Sequence, residues 1–155
     1  MAVLTLTVDG KTQSVDVDPE MPLLYALRDN LGLNNPRFGC GLAQCGACTV
    51  ILDGVPIRAC TTPTSVAAGG KIRTIAGLGT PEKPHPVQKA FIDEQVSFCG
   101  YCVNGWMMYS VAMLEQNPKV TDKQIKDELS QLKCRCGSHT AVARAVRRAA
   151  DAMKA

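Results

Sequence analysis

The stretch Cys40-Gly41-Leu42-Ala43-Gln44-Cys45-Gly46-Ala47-Cys48 decides how this chain must fold. Three cysteines lie on one short segment in the spacing C-x4-C-x2-C, with glycines between them. Glycine permits positive φ angles and a close approach of the backbone, so such a segment can wrap a compact group held by its thiols. A fourth cysteine, Cys60, follows after a predicted hairpin and completes what we call the first cysteine set.

Four further cysteines form a second cysteine set with a different spacing. Cys99 and Cys102 read C-x2-C, and Cys134 and Cys136 follow much later as C-x-C. One [2Fe–2S] cluster requires four thiolates, and the spacing of the first set is the plant-type ferredoxin pattern. We therefore predict one [2Fe–2S] cluster on each set. A zinc site or disulfides are the alternatives for the first set, and the spacing of the second set leaves tetrahedral zinc open.

The composition is that of a globular protein with small cores. Of 155 residues, 46% are hydrophobic but only 5% are aromatic. If the chain divides in two, each half needs a staple, which a four-cysteine cluster would supply. The formal charge is +3, and two oxidised clusters of about −2 each would bring it to about −1. The basic balance is therefore no evidence for nucleic acid, and no apolar run has the length of a membrane segment.

Residues 1–77 are predicted to form a β-grasp module. Period-two alternation of apolar residues marks the strands, and Asp9-Gly10 and Asp53-Gly54 are signals for two-residue hairpin turns. Pro22 opens a helix that Gly32 ends. The predicted strands cover 3–8, 14–17, 48–52, 55–60 and 72–75.

The rest of the chain is predicted to be helical. A Gly- and Pro-rich linker over residues 78–86 leads into residues 87–155, and the cysteine pairs precede the second and fourth helices. This arrangement predicts a four-helix bundle with a cluster at one end. The fold class is thus α+β, a plant-type ferredoxin-like β-grasp domain followed by a four-helix bundle. The predicted helices cover 85–96, 105–117, 121–129 and 140–153.

The run from Gly39 to Val50 resembles the iron–sulfur subunits of the xanthine oxidase family of molybdenum hydroxylases. So do Cys99-Gly100-Tyr101-Cys102 and Cys134-Arg135-Cys136-Gly137, and the resemblance covers nearly the whole chain. The segments 85–88 and 136–140 look like small subunits of nicotinate and isoquinoline dehydrogenases, with the aldehyde oxidoreductase type as the alternative. The resemblance implies the fold described above with a [2Fe–2S] cluster in each part, which favours a cluster over zinc at the second set.

The resemblance also implies an electron-transfer subunit of an oxidoreductase, with no catalytic residue on this chain. A separate large subunit would hold a molybdopterin cofactor and hydroxylate an N-heteroaromatic or aldehyde substrate. Electrons would pass the second-set cluster, then the first-set cluster, and leave to an FAD-binding medium subunit or a cytochrome. Cys136 would contact the pterin. The family usually has a second pterin contact, a glutamine before C-x2-C, where this chain has Phe98.

Several residues near the second set have structural interpretations. Trp106, Tyr101 and the nearby methionines are predicted to pack in the core, and His85 to start a helix. His139 is not predicted to be a ligand, because four cysteines are available. The N-terminal residues show no basic region and no twin-arginine pair, so we expect a cytoplasmic location, or a periplasmic one if a partner carries the export signal. A zinc-stabilised interaction module and a free-standing carrier are the alternative functions.

Overall fold

A five-stranded sheet forms the N-terminal half of the chain in the computed structural model, which describes residues 1–96 and 98–154. Its strand order is β2-β1-β5-β3-β4, with β5 parallel to β1 and antiparallel to β3. Both predicted Asp-Gly turns are confirmed, since all four of their residues have positive φ, as a two-residue hairpin with right-handed strand twist requires. The strands are Ala2–Val8 (β1), Lys11–Val17 (β2), Thr49–Leu52 (β3), Val55–Arg58 (β4) and Lys71–Arg73 (β5).

The last strand is shorter than its sequence pattern predicts. It ends at Arg73 because the next residue, Thr74, forms its hydrogen bonds with the turn that follows β1. The Thr74 backbone N–H and hydroxyl donate to the Asp9 carboxylate at 2.7 and 2.6 Å, so Thr74 is not available to extend the ladder. Ile75–Gly77 then forms a 3-10 turn in place of the predicted strand end.

The N-terminal half also contains a helix that packs against the sheet and a short helix that the sequence did not predict. The predicted helix after Pro22 is confirmed as α1, Leu23–Tyr25, which continues into a π-helical turn, Ala26–Asn30. Its leucines lie in the sheet core with Leu6. The unpredicted helix, α2, covers Thr64–Ala67 between β4 and β5.

Beyond residue 85 the described chain forms the four predicted helices. His85 and Thr121 each close a capping box with a glutamine three residues later, at the starts of α3 and α5. The first of these helices ends at Asp93 and not at Val96, since Gln95 adopts a φ of 50°. The α+β prediction is confirmed. The helices are Pro86–Asp93 (α3), Val103–Gln116 (α4), Asp122–Leu129 (α5) and His139–Met153 (α6).

The helices and the sheet have separate cores that meet along α4. Buried residues of α3 to α6 form one cluster, and Ile51 of β3 is part of it. Ile75 and Leu78 also pack against the helical core. The domain limits 1–77 and 87–155 and the linker 78–86 stay a prediction. Among the described residues no helix is long and apolar enough to cross a bilayer.

Candidate metal centres

The thiol of Cys40 is surrounded by backbone amides of its own loop. Its Sγ accepts hydrogen bonds from the backbone N–H groups of Leu42, Gln44 and Cys45, each at 3.3 Å. Burial acts to raise the pKa of Cys40, but these amides outweigh it and lower that pKa to about 7. The loop therefore favours the thiolate, which is the form that binds metal.

A glycine lets a second thiol of the first set approach the loop backbone. A Cβ atom added at Gly39 would lie 2.6 Å from the Sγ of Cys45, closer than two such atoms can approach. Only glycine therefore permits the Cys45 thiol to lie against this turn. The sequence prediction of a glycine-permitted wrap around the thiols thus has a specific steric cause at this position.

The other two cysteines of the first set meet at the open end of a hairpin. Cys48 directly precedes β3 and Cys60 follows β4, and the Ala59 N–H donates to the Cys48 carbonyl at 3.4 Å. Both thiols are buried. Burial, and then the neighbouring Cys60 thiol, raise the pKa of Cys48 to about 12. The Cys48 thiol is therefore protonated by itself, and a bound cationic metal would supply the charge that stabilises its thiolate.

The second set is assembled from two loops whose cysteines meet in pairs. Cys99 lies against Cys136, and Cys102 lies against Cys134. The Tyr101 backbone N–H, and then the Cys136 thiol, lower the pKa of Cys99. Burial, and then Cys134, raise the pKa of Cys102 to about 11. Each pair joins one cysteine of C-x2-C to one of C-x-C, so residues more than thirty positions apart form one site.

Two helices begin at the second set. Cys102 is the N-cap residue of α4 and Ser138 is the N-cap residue of α6. Helix N-termini favour negative charge. Burial acts to raise the pKa of Cys134, but the hydroxyl and backbone N–H of Ser138 help lower it to about 7. The sequence pattern was not used to predict a role for Ser138. A serine four residues after a predicted ligand and just before a helix is nevertheless a recognisable signal for a group that donates to that ligand.

The four thiols of the second set line one cavity together with Trp106 and Phe98. Trp106 is 2% exposed, which confirms its predicted place in the core. Phe98 is 62% exposed and lies at the rim. All eight cysteines are within the described residues and are free thiols. In that part of the chain no three His, Cys, Asp or Glu side chains are grouped around a single metal position.

The prediction that Tyr101 packs in the core is wrong. Its side chain is 45% exposed, and its hydroxyl donates to the Phe38 carbonyl at 2.7 Å. The Arg37 guanidinium lies over its ring, 5.2 Å from the centroid. Tyr101 is partly exposed because it reaches from the second set across to the loop of the first.

Backbone and amide groups also join the two sets directly. The Lys133 N–H donates to the Cys45 carbonyl at 3.0 Å, and the Asn104 side-chain amide donates to the Ala47 carbonyl at 2.9 Å. A Cβ atom at Gly105 would lie 2.7 Å from the Gly46 carbonyl carbon. The two sets are thus adjacent, a proximity that spacing along the chain does not reveal.

Two family models match the chain, one over the range that contains each cysteine set. Residues 6–71 match the family model of the 2Fe-2S iron-sulfur cluster binding domain, and residues 74–147 match that of the [2Fe-2S] binding domain. A nicotinate dehydrogenase subunit of Pseudomonas putida is 53% identical over 148 residues, 96% of this chain and 94% of the relative. The alpha subunit of isoquinoline 1-oxidoreductase from Brevundimonas diminuta is 44% identical over 135 residues, 87% of this chain and 88% of the relative.

The chain belongs to the iron–sulfur subunits of the xanthine oxidase family of molybdenum hydroxylases. The aldehyde oxidoreductase of Desulfovibrio desulfuricans has the same fold, with a TM-score of 0.93 and 35% identity over 99% of this chain. This chain spans 17% of that longer one. As an iron–sulfur subunit it contains two [2Fe–2S] binding domains and is part of an oxidoreductase. The thiol sets fit such clusters chemically, since thiolates are their ligands.

Proposed function

We propose that each cysteine set binds one [2Fe–2S] cluster through all four of its thiols. The pairing of the thiols supports this assignment, because each iron of such a cluster takes two protein ligands. The pairs of the second set are Cys99 with Cys136 and Cys102 with Cys134. In the first set, Cys48 lies against Cys60 and Cys40 against Cys45. The amides on Cys40 would stabilise the charge of a bound cluster.

The proposed function is electron transfer from a molybdopterin-binding large subunit to an electron acceptor. The names of two relatives, nicotinate dehydrogenase and isoquinoline 1-oxidoreductase, support an N-heteroaromatic substrate for the partner, with an aldehyde as the alternative. The acceptor would be an FAD-binding medium subunit or a cytochrome. The clusters would supply one-electron redox chemistry, and this chain would hold them at a fixed separation.

The observation that best supports this function is the backbone hydrogen bond that joins the two sets. The Cys45 carbonyl accepts from the N–H of Lys133, and Lys133 is covalently joined to Cys134. One hydrogen bond therefore separates a ligand of the first set from the residue next to a ligand of the second. Tight coupling of this kind suits two centres that exchange electrons, whereas two unrelated structural sites would not need it.

We also propose that Cys136 lies closest to the molybdopterin partner and contacts the pterin. Cys136 and Cys99 are exposed, while the first-set cysteines Cys48 and Cys60 are buried. The exposed rim around Cys136 includes Phe98, which offers no hydrogen bond. Phe98→Gln should therefore strengthen binding of the molybdopterin partner without changing the iron content. Weaker binding, or loss of iron, would contradict this orientation.

Single cysteine substitutions in the purified complex test the ligand assignment. The wild-type chain should contain about four iron and four acid-labile sulfide per chain, as two such clusters require. Cys60→Ala should remove the EPR signal of one cluster and Cys102→Ala that of the other. Ser130→Ala, at the exposed end of α5, serves as the control and should keep both signals.

Two results would overturn the proposal. One is retention of both EPR signals in either cysteine variant, since each lost thiolate must cost its cluster. The other is a fully iron-loaded complex that contains no molybdenum, because the proposed electron donor would then be missing.

A further inference from the structure

Trp106 carries a buried hydrogen-bond donor that the fold does not use. It is the only tryptophan of the chain and is 2% exposed. Its Nε1 has no hydrogen-bond acceptor of ordinary geometry among the described residues. A buried N–H without a partner costs free energy, and buried tryptophans usually find an acceptor. A phenylalanine would fill most of the same space without a donor to satisfy.

The position of the indole relates it to the second cysteine set. Trp106 lies one helical turn after Cys102, and its backbone N–H donates to the Cys102 carbonyl at 3.4 Å. Side chains on a helix point back toward its N-terminus, so the indole lies over the turn that contains Cys102. Trp106 lines the same cavity as the four thiols of the second set.

The indole has an aromatic neighbour besides the residues of the cavity. The His139 ring packs perpendicular to the indole, with the centroids 5.2 Å apart. Among the thiols that line this cavity, that of Cys102 is the one that shares a helical turn with the unused donor.

We propose that the indole N–H of Trp106 donates a hydrogen bond to the Cys102 sulfur when that sulfur is a ligand of the second cluster. This hydrogen bond raises the reduction potential of the second cluster. This inference rests on the proposed ligand assignment of the second set. Reduction adds negative charge to a cluster, and a hydrogen bond to its sulfurs stabilises that charge. Trp106 is thus a tuning residue that leaves the ligands themselves unchanged.

The test is Trp106→Phe in the complete complex, with both clusters followed by EPR during a redox titration. The equilibrium constant for reduction of the second cluster should fall about tenfold, which is about 59 mV for one electron. The first cluster should keep its potential. Met108→Leu is the matched control, because Met108 is buried on the same helix but offers no donor. It should leave both potentials unchanged.

The outcomes separate this inference from the assignment on which it rests. Four irons per chain with an unchanged second potential in Trp106→Phe would overturn the tuning role alone. A wild-type chain with only two irons would overturn the ligand assignment and the tuning role together. If the variant does not accumulate, wild-type complex with 15N-labelled tryptophan gives a second measurement. The reduced second cluster should then show a 15N coupling in pulsed EPR, and its absence would refute the hydrogen bond.

Discussion

The side chain of Asn104 donates to the carbonyl of Ala47, 2.9 Å away, and so joins the first turn of α4 to the residue before Cys48. The same Nδ2 lies 3.3 Å from the Thr49 carbonyl. Asn104 is 1% exposed, so both hydrogen bonds are shielded from water, and the Ala47 carbonyl also accepts from the Arg37 N–H at 3.2 Å. This amide connects the start of α4, which directly follows Cys102 of the second set, to the loop of the first set.

Removal of that amide should destabilise the fold. Asn104→Ala removes two buried hydrogen bonds, and each typically contributes about 0.5–1.5 kcal/mol to the free energy of unfolding. Urea unfolding of the cluster-loaded chain measures this loss of stability. Gln116→Ala is the control, because Gln116 lies on the same helix and also donates to a carbonyl, that of Gly54, but is exposed. It should change stability by about 0.5 kcal/mol or less, and an equal loss in both variants would contradict the importance of burial.

The bond from Lys133 to Cys45 should matter for the exchange of electrons between the sets. Lys133→Pro removes the only N–H that can make this bond, and we expect slower electron transfer between the clusters in freeze-quench EPR. Lys133→Ala keeps the backbone N–H and is the control for loss of the side chain, whose Nζ donates to the Ser130 carbonyl. Equal rates in both variants, with both clusters present, would argue against this route.

Ser138 should raise the reduction potential of the second cluster. Its hydroxyl and backbone N–H donate toward Cys134, and Ser138→Ala removes only the hydroxyl. We expect the potential of the second cluster to fall while the first is unchanged, as an EPR-monitored titration would show. Ser138→Thr keeps a hydroxyl and should keep the wild-type potential. A fall in both variants would point to packing in place of hydrogen bonding.

The stability of the chain should depend on pH through His85. Burial lowers the pKa of His85 below its ordinary value of 6.5, with Glu115 opposing this effect and Arg73 adding to it. The unfolded chain therefore takes up a proton more readily, so stability is full above about pH 6.5 and falls as the pH drops below that value.

His85→Asn should reduce this dependence. The Val87 N–H donates to His85 Nδ1 at 3.2 Å. An asparagine at this position keeps an acceptor for that N–H. Thermal unfolding between about pH 7.5 and pH 5 measures the slope of stability, in the range where histidine titrates. His139→Asn is the control at the other histidine of the chain, which is exposed. An unchanged slope in His85→Asn would disprove the role of this histidine.

Local patterns sufficed for those parts of the fold that local chemistry controls. The hairpins at Asp9 and Asp53 follow from residues that tolerate positive φ. The start of α5 follows from Thr121 and Gln124, whose side chains satisfy the backbone groups at that end. The wrap of the first loop follows from cysteines and glycines that lie within a few residues of each other.

Contacts between distant segments were beyond such patterns. β5 ends early because Thr74 bonds to Asp9, which lies 65 positions away. Tyr101 was expected in the core, yet it extends to Phe38 because the two site loops face each other. No property of either residue alone indicates its partner.

The spacing of eight cysteines was enough to indicate two metal centres in two kinds of module, because the number of ligands and the lengths of the loops between them can be read from the sequence. How the thiols pair, how the sets are joined at Cys45 and Lys133, and where the indole N–H of Trp106 lies were decided only by packing in three dimensions. The physical reason is that hydrogen bonds and burial depend on which surfaces meet. In this chain the contacts that join the two sets link residues 57 and 88 positions apart.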